Sequence, residues 1–170
     1  MDEWSPQRIV DRMQIAERLC LYCRAIDRID IGLLATVFLS DAVIDKGDGA
    51  VPVACFIANV AARHPGVPRA SHMVTHHLID FTAPEAAFVE SWCLAIEQHP
   101  AADGPTIDRV YRVRYGDRFA RREGEWRIAH RTFVVDHVMS VPVDPALAPD
   151  MGGRYEGRRG PDDVISQLRR

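Results

Sequence analysis

The sequence predicts an α+β fold in which N-terminal helices pack into the concave face of one curved antiparallel sheet. Together they form an α+β barrel, or cone, around an apolar pocket. Two observations predict the class. Apolar residues recur at three- and four-residue steps in the first third of the chain, and beyond residue 70 the pattern changes to two-residue alternation over four long segments. Helices first, then a meander of long strands, is the order of an α+β domain.

Ser5-Pro6 opens the first helix, with a capping hydroxyl before a proline at the first helical position. Ile9, Met13, Ala16, Cys20, Cys23 and Ile26 then mark an apolar stripe that ends near Asp27. Asp30 can cap a short second helix over residues 33–39. Residues 42–45 read as a brief strand, and Gly47-Asp48-Gly49 as a turn. The unbroken apolar run 53–63 predicts a third helix, stopped by His64-Pro65-Gly66. Residues 71–81, 87–98, 107–121 and 126–139 are the four strands. The turn-rich run 99–105 separates the second from the third. Glu123-Gly124-Glu125 is a hairpin signal between the last two. In the third strand Val110, Arg112, Arg114 and Arg118 oppose Tyr111, Val113, Tyr115 and Phe119.

The length of 170 residues fits one domain with a sizeable core. The expected division is a domain over residues 1–141 and an extended, proline- and glycine-rich tail over 142–170, with a short helix possible at 162–168. The formal net charge of -3 supplies no global basic field to recruit nucleic acid or an anionic membrane. No apolar run reaches the ~18 residues of a membrane span. Residues 1–6 lack the basic and apolar regions of a signal peptide, so the expected location is cytoplasmic. Cys20-x-x-Cys23 lacks a second ligand pair at zinc spacing, and neither Cys55 nor Cys93 has one, so the four cysteines read as small hydrophobes.

Four residues could carry chemistry. Asp27 ends an apolar helix, where the macrodipole disfavours an anion. His72 lies on a strand, by alternation on the face of Val74, His76, Leu78 and Asp80. His72 and His76 lie about 13 Å apart along an extended strand, too far to share a metal ion, and His77 points to the opposite face. No metal is therefore expected. Arg131 sits among Phe133, Val134 and Val135 and needs an anionic partner such as Asp136, an anionic ligand, or solvent. Tyr22 lies about 140° around the helix from Asp27, so both can line a wide cavity without touching. The shape of that cavity depends on how Phe38, Phe56, Trp92 and Phe133 pack. No phosphate loop, dinucleotide fingerprint or nucleophile elbow appears, so no cofactor is expected.

In combination these residues resemble the SnoaL-like family of the nuclear transport factor 2-like superfamily. The resemblance is carried by Tyr22-x4-Asp27, Ser40-Asp41-Ala42-Val43, His72 opening a strand, Tyr115-x3-Phe119 and the hairpin Gly124-Glu125-Trp126-Arg127-Ile128-Ala129-His130-Arg131, between about Gln7 and Met139. Scytalone dehydratase, bile acid 7α-dehydratase and hexachlorocyclohexane dehydrochlorinase are relatives. The resemblance implies an Asp–His dyad at Asp27 and His72, with Tyr22 and Arg131 as polar pocket residues. It places His76 where relatives often have asparagine. It implies a cofactor-independent dehydratase-type lyase acting on an apolar cyclic or polycyclic small molecule. An isomerase or cyclase of the same parts is the alternative, as is a non-catalytic small subunit of a ring-hydroxylating dioxygenase or a ligand-binding module. It also implies a homo-oligomer, a trimer or else a dimer.

Overall fold

The computed structural model describes residues 3–100, 105–144 and 152–168. The element order is α1 (Pro6–Arg28), α2 (Ile31–Val37), β1 (Phe38–Asp45), β2 (Ala50–Pro52), α3 (Val53–Arg63), a 3-10 turn (His64–Gly66), β3 (Arg69–Ala83), β4 (Ala86–His99), β5 (Ile107–Arg122), β6 (Glu125–Pro142) and α4 (Val164–Leu168). One six-stranded curved sheet runs in the order β2-β1-β6-β5-β4-β3. The long strands β3 to β6 form an antiparallel meander. The sheet departs from the expected purely antiparallel barrel in two ways: β1 pairs parallel to β6, and β2 and β3 remain as open edges. Residues 101–104 of the expected turn-rich run, and residues 145–151 and 169–170 of the expected tail, lie outside the described residues.

The helices pack on the inner face around Ile15, Leu19, Ile26, Leu34, Val37, Phe38, Val89, Phe119, Trp126 and Ile128, all nearly solvent-free. The buried stripe of α1 differs from the one read in the sequence. It runs through Arg8, Asp11, Ile15, Leu19, Tyr22 and Ile26, while Ile9, Met13 and Cys20 are exposed. Two charged residues occupy the inward face because the fold gives them partners. Asp11 accepts hydrogen bonds from Arg8, Gln7 and the indole N–H of Trp126, and pairs with Arg121. The hairpin tryptophan is thereby tied to the first helix. The hairpin itself turns on Glu123 and Gly124, both at positive φ, the two-residue geometry whose twist matches its flanking strands.

A bulge in β3 positions the site. Val74 pairs with Cys93, but the next pairing is His76 with Trp92, so Thr75 is an extra residue. One inserted residue moves every following side chain to the other face. His72 and Val74 therefore share the inner face, and His76 does not join them. This corrects the alternation expected for His76, Leu78 and Asp80. Instead Ile79 is the buried residue of the second half of the strand.

Candidate active site

Helix α1 ends in a Schellman-type turn. The Asp30 N–H donates to the Ala25 carbonyl and the Ile29 N–H to the Ile26 carbonyl, with Ile29 in the left-handed region at φ 55. Glycine usually fills that position, and a β-branched residue is strained there. The turn holds Asp27 over the start of β3. The anion sits where the helix dipole opposes it, but positive charge gathers at the same end. Arg159, in the C-terminal segment, donates from Nη2 to the Ile26 carbonyl (2.7 Å) and from Nε to the Asp27 carbonyl (2.9 Å). Arg28 is ion-paired with Asp163 at 2.6 Å, which docks that segment on the helix end.

Asp27 spends both carboxylate oxygens on one residue. Oδ1 lies 2.7 Å from Nδ1 of His72, and Oδ2 accepts the backbone N–H of His72 at 2.9 Å. A carboxylate only accepts, so in the neutral imidazole the single ring proton sits on Nδ1 and Nε2 keeps its lone pair. The ring opens onto a cavity of about 310 Å³ walled by Tyr22, Phe56, Tyr115 and Phe133. Lys46, Asn59, Arg63, His64 and Glu97 add polar lining. Asp27 itself is not on the wall; it reaches the cavity through His72. Lys46 lies over the faces of Phe56 and Phe133, at 5.3 and 5.4 Å.

Arg131 is fully buried, and its partner is Asp117 rather than Asp136. Nε and Nη2 donate to the two Asp117 oxygens at 2.8 and 2.7 Å, a bidentate fork. Asp136 is engaged elsewhere, by Arg114. The Arg131 guanidinium lies 4.1 Å from the ring centroids of both Tyr22 and Tyr115. Burial opposes its charge, and the Asp117 carboxylate outweighs burial, so its pKa is raised. Burial likewise pushes the Tyr22 phenol up, so Tyr22 keeps its proton at neutral pH and is a hydrogen-bond donor.

Of the residues named from the sequence, the structure brings Asp27, His72, Tyr22, Phe56 and Phe133 together. Arg131 stands behind the tyrosines, off the cavity wall. Phe38 is buried one layer deeper, edge-on to Tyr22 and Phe56 with 6.1 Å between centroids in each case. His76 and Trp92 are not brought to the cavity: their rings stack on each other at 4.3 Å on the far side of the β3 bulge. Tyr115, Asp117, His64 and Arg159 do not stand out in the sequence as site residues. Their signals were weak: Tyr115 and Asp117 look like ordinary strand residues, and His64 reads as part of a helix stop. Cys23 and Cys93 are both buried in the core as free thiols. Among the described residues no three His, Cys, Asp or Glu side chains converge to hold a metal ion.

Solved structures of similar fold include a hexachlorocyclohexane dehydrochlorinase, LinA type 2, at 16% identity and TM-score 0.73, covering 85% of this chain and 97% of that one. A scytalone dehydratase-like protein of Novosphingobium aromaticivorans aligns at 21% identity and TM-score 0.70, covering 87% and 97%. The Kfla4162 protein of Kribbella flavida aligns at 20% identity and TM-score 0.70, covering 77% and 94%. At these identities the likeness shows the fold, which is nuclear transport factor 2-like. A search of curated proteins finds no significant sequence match. The profile of the SnoaL-like domain matches residues 7–132, and the chain belongs to that family.

Proposed function

We propose that the protein is a cofactor-independent lyase that removes a carbon-bound proton and a neighbouring leaving group from an apolar cyclic small molecule. The observation that carries the reading is the 2.7 Å contact of Asp27 with His72 Nδ1, on a ring that opens into an aromatic cavity. His72 Nε2 takes the proton. The electrons of the C–H bond become the new double bond as the bond to the leaving group breaks, and a departing hydroxide takes the proton back from the imidazolium and leaves as water, which returns His72 to its neutral form. Asp27 holds the tautomer that makes Nε2 basic and stabilises the imidazolium formed. The Tyr22 hydroxyl donates to a developing oxyanion or to the leaving group in the aromatic-walled cavity. Arg131 acts through Tyr22, whose ring it packs against. Dehydratase and dehydrochlorinase names among the structural neighbours agree with this class. An isomerase or cyclase would use the same first step and differ only in the fate of the carbanion.

We place the protein as a homo-oligomer that associates through the exposed apolar residues of its sheet, among them Met73, Leu78, Phe88 and Val134. The functional test is incubation with a panel of cyclic β-hydroxy carbonyl compounds, followed by mass spectrometry for loss of water. Product that forms with the parent protein and is abolished by His72→Ala supports the reading. Product formation that is the same in both proteins refutes it.

A further inference from the structure

We propose that His64 is a second functional imidazole of this cavity, a neutral ring whose Nε2–H donates to a substrate oxygen, with its tautomer set by Arg159. The inference rests on the cavity being the reaction chamber, as argued above.

His64 starts the turn after α3 and lines the same cavity as His72. Arg159 Nη2 lies 3.2 Å from His64 Nδ1, and Nη1 donates to the His64 carbonyl at 3.0 Å and to the Val67 carbonyl at 2.7 Å. A guanidinium has donors and no acceptor, so Nδ1 of His64 must accept. The single proton of the neutral ring is then on Nε2. The two histidines are set in opposite senses. An anion behind His72 places the proton on Nδ1 and frees a lone pair at Nε2. A cation behind His64 keeps the proton off Nδ1 and presents it at Nε2.

The charge state follows from the surroundings. Burial is the main cause that lowers the His64 pKa. Arg159, His72 and Arg63 push the same way, and Glu97 opposes them. The ring is therefore neutral at pH 7, which suits a donor that polarises an oxygen without giving its proton away in the ground state. Arg159 does not touch the cavity and is a positioning residue. Its guanidinium ties the last turn of α1, which carries Asp27, to the turn that carries His64, so both rings are referenced to one side chain. It also lies beyond residues 7–132, so this device comes from the C-terminal segment rather than from the family domain.

The test reads tautomers directly by long-range ¹H–¹⁵N correlation spectra of the imidazole rings at pH 7. In the parent protein His64 is expected to be protonated on Nε2 and His72 on Nδ1. In Arg159→Met, His64 should become a tautomer mixture and titrate at higher pH, while Arg159→Lys should restore part of the bias. A second arm uses 4-nitrophenolate as an oxyanion probe and nitrobenzene as its uncharged match. His64→Phe should bind the phenolate roughly tenfold more weakly or worse, with nitrobenzene unchanged. His64 protonated on Nδ1 in the parent protein overturns the proposal. So does phenolate binding that is absent in the parent or unaltered in His64→Phe. Tautomers are read without turnover, so this result stands apart from whether His72 is a base.

Discussion

One carboxylate–nitrogen pair opens on the cavity and another packs behind its tyrosines, and the two are built differently. Asp117 and Arg131 are both inaccessible, and Asp117 gives both oxygens to one guanidinium. In the Asp27–His72 pair the side chains keep 21% and 9% exposure, and one ring nitrogen is left without a partner among the described contacts. A buried pair that spends its carboxylate on its own cation holds architecture together. A pair that fixes one nitrogen and leaves the other facing a cavity is equipped for proton transfer. The pairs communicate through packing, because the Arg131 guanidinium supports the Tyr22 ring that shares the cavity with His72.

The sharpest way to break the contrast is to remove one member of the buried pair. Arg131→Met strands the Asp117 charge and should cost about 3–5 kcal/mol in urea unfolding. Arg131→Met with Asp117→Leu should recover most of that loss, because no charge is left without its partner. If the single variant unfolds like the parent protein, the structural role of the pair is wrong.

A third polar cluster extends the comparison and is smaller in effect. Hydrogen bonds from Trp126 and Gln7, with Arg121 and Arg8 nearby, hold the Asp11 carboxyl below its ordinary value of 3.8, although burial, the largest single influence, pushes it up. A depressed folded pKa gives stability that is present above the unfolded value and lost as pH falls through the folded one. Asp11→Asn should therefore cost about 1–3 kcal/mol at pH 7. Its difference from the parent should narrow below pH ~4 as the native carboxyl takes up its proton. A constant difference across that range in unfolding titrations would contradict the assignment.

The weakest expected effect lies on the far face. Trp92→Ala removes the stack on His76, worth about 0.5–1.5 kcal/mol. It should lower the melting temperature slightly and leave turnover per folded protein unchanged. A selective fall in kcat would return Trp92 to the cavity.

These clusters show which features the sequence could reveal. The change of period near residue 70, the Ser5 cap and the Glu123-Gly124 turn are local signals, and the elements they predict form close to where expected. Asp27 and His72 stand out as an acid at the wrong end of a helix and a histidine on an apolar strand, and their resemblance to family positions joined them. The rest depends on where strands register. One extra residue at Thr75 separates His76 from His72, and alternation read through a bulge cannot show it. The inward face of α1 carries Arg8 and Asp11, which look like surface residues until Trp126 and Arg121 are folded against them. Arg131 signals that it needs an acid, but choosing Asp117 over Asp136 requires knowing that residues 117 and 131 face each other across β5 and β6. His64 becomes visible only when a residue 95 positions later donates to its ring.

In the proposed mechanism His72, held by Asp27, removes a proton from carbon. The most direct measurement of that step is deuterium uptake from D₂O into a cyclic ketone ligand, recorded for the parent, His72→Ala and Asp27→Asn beside their melting temperatures. His72→Ala should remain folded and lose exchange by a factor of roughly 10² to 10⁴. Asp27→Asn should keep ligand binding but lose most of the exchange, because the amide can hold the ring in the wrong tautomer. Exchange that is equal in all three proteins, or that falls only in proportion to the folded fraction, would contradict the account.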